Sequence, residues 1–194
     1  MIGAVLAGGY SKRTLIDKLF YPVDGKPLIL YPVEQLRKVR GVVKVVAVAS
    51  YRSANHLNDL GIDTVIDTLL IGPLGALYLV LRMFREVVVV AGDMPFISSR
   101  TIERIIELCS GEYDACIPMW SDGYVEPLCA VYRQGFLKAV EYGLERSVFA
   151  LHKLIPLAKV FRIPIEMVSE NPGREFFNVN SVEDMLRLRD IDRV

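Results

Sequence analysis

The chain opens on MIGAVLAGGYSKRTLIDK, Met1 to Lys18, and the change of character along this stretch decides the fold. Ile2 to Leu6 is apolar, short and partly β-branched, which predicts a buried first strand. Gly8 and Gly9 end it. Two glycines at a strand end let the backbone turn sharply and approach a ligand, because no Cβ intervenes. Lys12, Arg13 and Lys18 follow, offset only by Asp17. Backbone N–H groups in a turn, joined by basic side chains, form a cradle for phosphate. The alternative is a surface loop with scattered lysines. The position of Gly8-Gly9 directly behind a strand favours the cradle. A P-loop is excluded, since no Gly-Lys precedes a Ser or Thr, and the three spaced glycines of a dinucleotide fingerprint are absent. The connection is long for a strand-to-helix link, and long loops are usually functional.

Outward from this loop the pattern alternates. Asp24-Gly25-Lys26-Pro27 is a turn. Leu28 to Val39 has helical spacing, with Pro32 starting or kinking the regular part. Val42 to Ala49 is a strand apolar on nearly every position, expected to be buried on both faces. A helix from about Ser53 stops near Gly61, and Thr64 to Ile66 is the next strand. Pro73 suits the first turn of a helix running to about Phe84. Val87 to Ala91 has the composition of a central parallel strand. Ser98 or Ser99 caps a helix with Ile102, Ile105, Ile106 and Cys109 on one stripe. Such alternation predicts an α/β fold, a parallel sheet covered on both faces. Further on, Ala115 to Met119 and Leu128 to Tyr132 read as strands around Ser121-Asp122-Gly123. Phe136 to Leu144 and Val148 to Leu154 read as helices, and Lys159 to Ile163 as a strand. Phe176 to Asn180 reads as a short strand, and Ser181 as the cap of a last helix to about Leu188. Trp120, beside Asp122-Gly123, reads as a hairpin-tip aromatic, the alternative being a ring that stacks on a flat heterocyclic ligand.

The 194 residues suffice for one domain with a sizeable core, and 23 basic residues against 23 acidic ones leave no net charge to attract nucleic acid. Phosphate affinity must therefore be local. Cys109, Cys116 and Cys129 lack metal or disulfide spacing and read as buried free thiols in a reducing compartment. No basic segment precedes the first apolar run, and the apolar stretch Leu69 to Leu81 is broken by Gly72-Pro73. Neither a secretory leader nor a membrane span is expected, and the expectation is a soluble cytoplasmic protein.

Ligands of open parallel sheets bind beyond the carboxyl ends of the strands. Three strand ends carry suggestive residues: Gly8-Gly9 after the first, Asp67 after the third and Asp93 after the fourth. Asp93, between a wholly apolar strand and Met94-Pro95, is placed to hold Mg²⁺ together with substrate phosphate oxygens; the alternative is a turn cap. Asp67 suits guanine donors, ribose hydroxyls or a strand-ending turn.

The loop Leu6 to Lys18 resembles the signature of nucleotidyltransferases that act on molybdopterin, above all the molybdenum cofactor guanylyltransferases. That family's pattern is L-A-G-G-x-S-x-R-M-G-x-D-K. Leu6, Ala7, Gly8, Gly9, Ser11, Arg13, Asp17 and Lys18 match in register, while Thr14 and Leu15 replace Met-Gly. Gly92-Asp93-Met94-Pro95 resembles the family's metal-binding segment. Asp67 with Gly72-Pro73-Leu74-Gly75 resembles its base and ribose segment, with one glycine displaced. Glu126 to Tyr132 resembles a segment lining the acceptor side. Asn178-Val179-Asn180-Ser181-Val182-Glu183-Asp184 resembles N-V-N-T-P-E-D, where asparagines rather than aspartates favour the guanylyl member.

The resemblance implies a three-layer sandwich around a mostly parallel, Rossmann-like twisted sheet, of the nucleotide-diphospho-sugar transferase type. It implies one domain over residues 1–194, with about 1–100 serving the nucleotide and the remainder the acceptor. The implied reaction takes GTP and molybdopterin cofactor to the guanine dinucleotide form and pyrophosphate, with Mg²⁺ as cofactor. Arg13, Lys18 and Asp93 would be catalytic, with Asp93 the metal ligand. Leu6, Ala7, Gly8, Gly9, Ser11, Lys18, Ser50, Asp67 and Gly72 would line the nucleotide. Asn178 and Asn180 would face metal or pterin. The partners implied are these substrates and transient contacts with other cofactor-assembly proteins, with no nucleic acid and no membrane. Alternatives are a cytidylyltransferase on molybdopterin, a guanylyltransferase on cobinamide phosphate or a sugar phosphate, and a non-catalytic nucleotide-binding paralogue marked by Leu15.

Overall fold

The structure, a computed structural model, describes residues 1–8, 18–181 and 183–184. Its strands are β1 (Ile2–Leu6), β2 (Pro22–Val23), β3 (Lys26–Pro27), β4 (Lys44–Ala49), β5 (Asp63–Ile66), β6 (Glu86–Ala91), β7 (Ala115–Met119), β8 (Cys129–Arg133) and β9 (Val160–Pro164). Its helices are α1 (Leu30–Lys38), α2 (Tyr51–Asp59), α3 (Pro73–Met83), α4 (Ser99–Leu108), α5 (Leu137–Glu145) and α6 (Pro172–Glu175).

Seven strands form one sheet in the order β5-β4-β1-β6-β8-β7-β9. β1 sits at its heart, with Ile2 to Leu6 pairing in parallel with Lys44 to Val48 on one side and with Val87 to Ala91 on the other. This is the geometry expected of the two most apolar strands: flanked on both edges and covered on both faces, they have no polar face to present. Only β8 runs against the rest, antiparallel to β6 and to β7. Sequence spacing does not reveal this reversal, because the buried residues of β8 are as apolar as those of its parallel neighbours.

The period of two along each strand divides the core between the two faces. On one face Val5, Ala47, Val88, Val90 and Val131 meet Val33 and Leu36 of α1, Leu57 of α2 and Ile102 and Ile105 of α4. On the other, Ala4, Val46, Val87, Val89 and Tyr132 meet Leu74, Leu77 and Leu81 of α3 and Val140 of α5. The result is a three-layer α/β sandwich, as expected. Pro32 is tolerated because it lies in the first turn of α1, where its missing N–H breaks no helical bond. Ser98 caps α4 by accepting from the Thr101 N–H at 3.1 Å.

Three expectations are corrected, and the expected turn at Asp24-Gly25 is found between two short strands. Residues 148–154 do not form an α-helix; Leu151–Lys153 and Ile155–Leu157 are separate 3-10 turns, with Pro156 interrupting regular hydrogen bonding. Phe176 to Asn180 is not a strand: α6 ends at Glu175, and the chain then continues irregularly, tied to the sheet edge by the Val179 N–H donating to Asp93 O at 2.9 Å. A two-residue hairpin, β2–β3, surrounds Asp24 and Gly25, whose φ angles of 47° and 79° define its turn. Finally, Cys109 and Cys116 are not free thiols. Cys109 caps the C-terminus of α4 and Cys116 lies on β7, and the short connection between them brings their Cα atoms to 5.6 Å, where they form a disulfide. Cys129 alone is free, and it is buried, with burial raising its thiol pKa. The helix expected to follow Ser181 lies mostly outside the described residues; Ser181 Oγ does accept from the Asp184 N–H at 3.1 Å, as a cap would.

Candidate active site

The ends of β1, β4, β5 and β6 share one edge of the sheet because all four strands run in parallel. Backbone bonds lock that edge. The Ala7 N–H donates to Val48 O at 2.9 Å, the Asp67 N–H to Ala49 O at 2.7 Å and the Gly92 N–H to Leu6 O at 3.0 Å. Leu6 and Ala7 are therefore buried anchors at the end of β1. Glycine suits position 92: a Cβ there would stand a tight 3.2 Å from Leu6 O and 3.3 Å from Leu19.

Lys18 and Asp93 meet at the centre of the edge. Lys18 Nζ lies 2.6 Å from Asp93 Oδ2 and also donates to Val179 O at 2.9 Å. The irregular 176–180 segment thereby closes on the end of β6 from the far side of the chain. The side chains of Lys18 and Asp93 are 28% and 20% exposed, sheltered enough for their charges to matter yet open to a ligand. The second oxygen of Asp93 has no partner among the described residues. The Val179 carbonyl is the component that residue-type reasoning misses, since a backbone acceptor leaves no trace in composition.

Asp67 and Gly8 form a second junction. Asp67 is buried, and its Oδ1 accepts from the Leu69 and Leu70 N–H groups at 3.0 Å each. Its Oδ2 faces Gly8, where a Cβ would come within 3.6 Å of it. Asp67 thus orders the turn after β5, with its second oxygen facing the end of β1. Gly72, with φ 82° and ψ −157°, adopts a conformation reserved for glycine and starts α3 ahead of Pro73. Ser50, at the start of α2, has its hydroxyl 3.3 Å from Ser53 Oγ. Asn178 and Asn180 lie on the segment that carries Val179. The Asn178 amide donates to Phe176 O at 3.2 Å, and that of Asn180 to Asn178 O at 3.4 Å. Gly9, Ser11 and Arg13 lie outside the described residues, as do Thr14 and Leu15.

Among the described residues no group of three or more His, Cys, Asp or Glu side chains is arranged to hold a metal ion. A metal here would rest on Asp93 and on oxygens brought by a ligand, a donor set that suits Mg²⁺. Neither is there, among those residues, a helix long and apolar enough to cross a membrane.

A mainly parallel sheet that gathers a glycine, a lysine and a carboxylate at one edge is the frame of a nucleotidyltransferase. The chain belongs to the MobA-like NTP transferase family, whose domain profile matches residues 3–154. A probable molybdenum cofactor guanylyltransferase from Thermococcus gammatolerans is 42% identical over 189 residues, covering 97% of this chain and 98% of the relative. Its counterpart in Pyrococcus furiosus is 39% identical over 190 residues, covering 97% and 96%. The crystal structure of molybdopterin-guanine dinucleotide biosynthesis protein A from Archaeoglobus fulgidus superposes with a TM-score of 0.85 at 26% identity, over 100% of this chain and 99% of that one. A 4-diphosphocytidyl-2C-methyl-D-erythritol synthase from Anaerococcus prevotii shares the fold, with a TM-score of 0.75 at 14% identity over 100% and 96% of the two chains.

Proposed function

We propose that this enzyme transfers GMP from GTP to the terminal phosphate of molybdopterin cofactor and releases pyrophosphate. The observation that carries the reading is the Lys18–Asp93 pair seated on the Val179 carbonyl at the carboxyl edge of the sheet. The names of the Thermococcus and Pyrococcus relatives support the substrates. On this reading roughly the first hundred residues serve the nucleotide and the rest serves the acceptor, within one domain.

The pterin phosphate attacks the α-phosphorus of GTP in line. A new P–O bond forms as the bond to the β-phosphate oxygen breaks, and pyrophosphate departs with that electron pair. The nucleophile is already ionised, so no protein base is required. Catalysis then rests on positioning and charge neutralisation. Gly8 and Gly9 admit the triphosphate close to the backbone, and Lys18 and Arg13 stabilise its developing charge. Asp93, through the oxygen that Lys18 leaves free, would hold Mg²⁺, which when bound supplies further neutralisation of the phosphates. Asp67 orders the turn after β5 beside Gly8, while Ser50 and Gly72 flank the nucleoside.

The test is transfer of label from α-phosphate-labelled GTP to molybdopterin, run beside CTP at the same concentration. A labelled guanine dinucleotide with matching pyrophosphate supports the reading. Preference for CTP moves the assignment to the cytidylyl class, and nucleotide binding without acceptor-dependent pyrophosphate release reduces the chain to a non-catalytic binder.

A further inference from the structure

The Val179 carbonyl that receives Lys18 sits on a segment with no regular structure of its own. α6 ahead of it has four residues, Pro172–Glu175, too few for a helix to hold itself together. Residues 176–180 then run irregularly to the end of β6. There the Val179 N–H donates to Asp93 O, and its carbonyl stands 2.9 Å from Lys18 Nζ. Ordering such a segment costs conformational entropy at every residue, so its placement calls for fixed points along the chain. Val179 is one of them, and the other lies at the end of α6.

Glu175 is that point. Its Oε2 accepts from two hydroxyls, Thr101 Oγ1 at 2.5 Å and Ser169 Oγ. Both donors are buried. Hydrogen bonds to a carboxylate are the strong kind, and removing the acceptor would strand two buried hydroxyls. Thr101 lies in the first turn of α4, where Ser98 Oγ accepts its N–H and donates to its hydroxyl oxygen, both at 3.1 Å. Ser98 is joined to Asp93 by a short connection that buries Met94 and Ile97. Ring contacts repeat the tie: the Arg174 guanidinium lies 4.9 Å from the centre of the Phe96 ring, and the Phe177 ring 6.4 Å from it. The segment is thus fastened twice to the frame that carries Asp93, at Glu175 and at Val179, with Phe176, Phe177 and Asn178 between.

We infer that Glu175 is a positioning residue for the transfer reaction, setting the Val179 carbonyl where it orients the Lys18 ammonium. This rests on the proposed guanylyl transfer at the Lys18–Asp93 pair. Glu175 bonds neither Lys18 nor Asp93 among the described residues, so it acts through the segment. An ammonium carries three donors on a flexible four-carbon stem. Asp93 Oδ2 and Val179 O take two of them, which leaves the third for a phosphate oxygen. With the carbonyl displaced, Asp93 alone would hold the ammonium and the stem would be free to turn. The charge would remain, but its preorganisation towards the phosphates would be lost.

The test is acceptor-dependent pyrophosphate release from GTP, with molybdopterin and Mg²⁺, measured on the full chain well below its melt. The proteins compared are wild type, Glu175→Ala, Glu175→Gln, Lys18→Ala and the Glu175→Ala, Lys18→Ala double variant. Glu175→Ala should lower turnover at least about tenfold, the scale of hydrogen bonds to a charged group. Glu175→Gln keeps a carbonyl oxygen for both hydroxyls and should stay within about threefold of wild type. In the Lys18→Ala background the same Glu175→Ala change should alter turnover by less than about twofold, because no ammonium is left to place. A residue that only supported the fold would cost the same factor with or without Lys18. Equal costs in the two backgrounds, an unimpaired Glu175→Ala, or a Glu175→Gln as impaired as Glu175→Ala each overturn the inference alone. If Glu175→Ala does not fold, Thr101→Val, which removes one donor at nearly constant volume, replaces it in the cycle with an expected loss of about threefold. Absence of acceptor-dependent release by the wild type overturns the guanylyl reading beneath the inference, and the inference with it.

Discussion

Replacing Asp93 by asparagine keeps the shape and one acceptor oxygen but removes the charge. The structural cost is small. The Lys18–Asp93 contact is partly solvated, with side chains 28% and 20% exposed, and Lys18 keeps its bond to Val179 O at 2.9 Å. A pair of this kind contributes about 1 kcal/mol, which in a chain of this size lowers Tm by roughly 2–4 °C. The catalytic cost is much larger on the proposed reading, because the carboxylate that positions charge at the reacting phosphates is lost. Losing one such preorganised group costs about 3–4 kcal/mol of barrier, or 10²–10³ in turnover. The two effects differ by roughly threefold in energy, so a melt and an acceptor-dependent pyrophosphate-release assay on the same preparation separate them. An Asp93→Asn variant that turns over within fivefold of wild type refutes the catalytic role. A Tm lower by more than 10 °C refutes the claim that the pair is a minor structural element.

Gly8→Ala should fold normally, because its Cβ would meet Asp67 Oδ2 at 3.6 Å and Val48 O at 3.9 Å, both ordinary contacts. On the proposed reading the backbone at Gly8 approaches the triphosphate, so nucleotide affinity by calorimetry should fall at least about tenfold; unaltered affinity contradicts that role. The Cys109–Cys116 disulfide closes a loop of sequence separation 7, and reduction should cost about 2.4 kcal/mol by loop entropy, or roughly 5–10 °C in Tm. Coincident melts with and without reductant contradict it. Burial makes Glu126 bind its proton more tightly in the folded protein than in the unfolded chain. As pH rises from the ordinary glutamate value to the raised one, the unfolded chain therefore loses its proton first, and the contribution of Glu126 to stability falls. Glu126→Gln should remove that slope and be relatively more stable at neutral than at acid pH; greater relative destabilisation at neutral pH counts against the burial argument.

Legibility in the sequence follows burial. β1 and β6 are readable because both are covered on both faces and carry almost nothing polar. Asp93 and Gly8 are readable because a charge or a glycine pair after such a run has no packing explanation. β8 is not: its direction depends on Leu128, Cys129 and their neighbours pairing with Val90 and Ala91, a tertiary choice that local composition does not encode. The disulfide escapes for a related reason, since the contact needs the turn between α4 and β7 rather than a spacing motif. In the candidate site, residue types point to Lys18 and Asp93 but not to Val179, whose carbonyl accepts from Lys18 and whose N–H donates to the Asp93 carbonyl. Nor does local sequence distinguish a hairpin-tip Trp120 from one whose indole faces Glu126, because that contact depends on how the β7–β8 connection folds back.

The most direct test of the central claim is calorimetric titration of the pure protein with GTP, CTP, ATP and UTP, each with and without Mg²⁺, for wild type and Asp93→Asn. Guanylyl transfer at the Lys18–Asp93 junction predicts selective binding of GTP that Mg²⁺ strengthens in the wild type and fails to strengthen in the variant. Selectivity for another nucleotide, or a Mg²⁺ enhancement that survives the loss of the Asp93 charge, would contradict it.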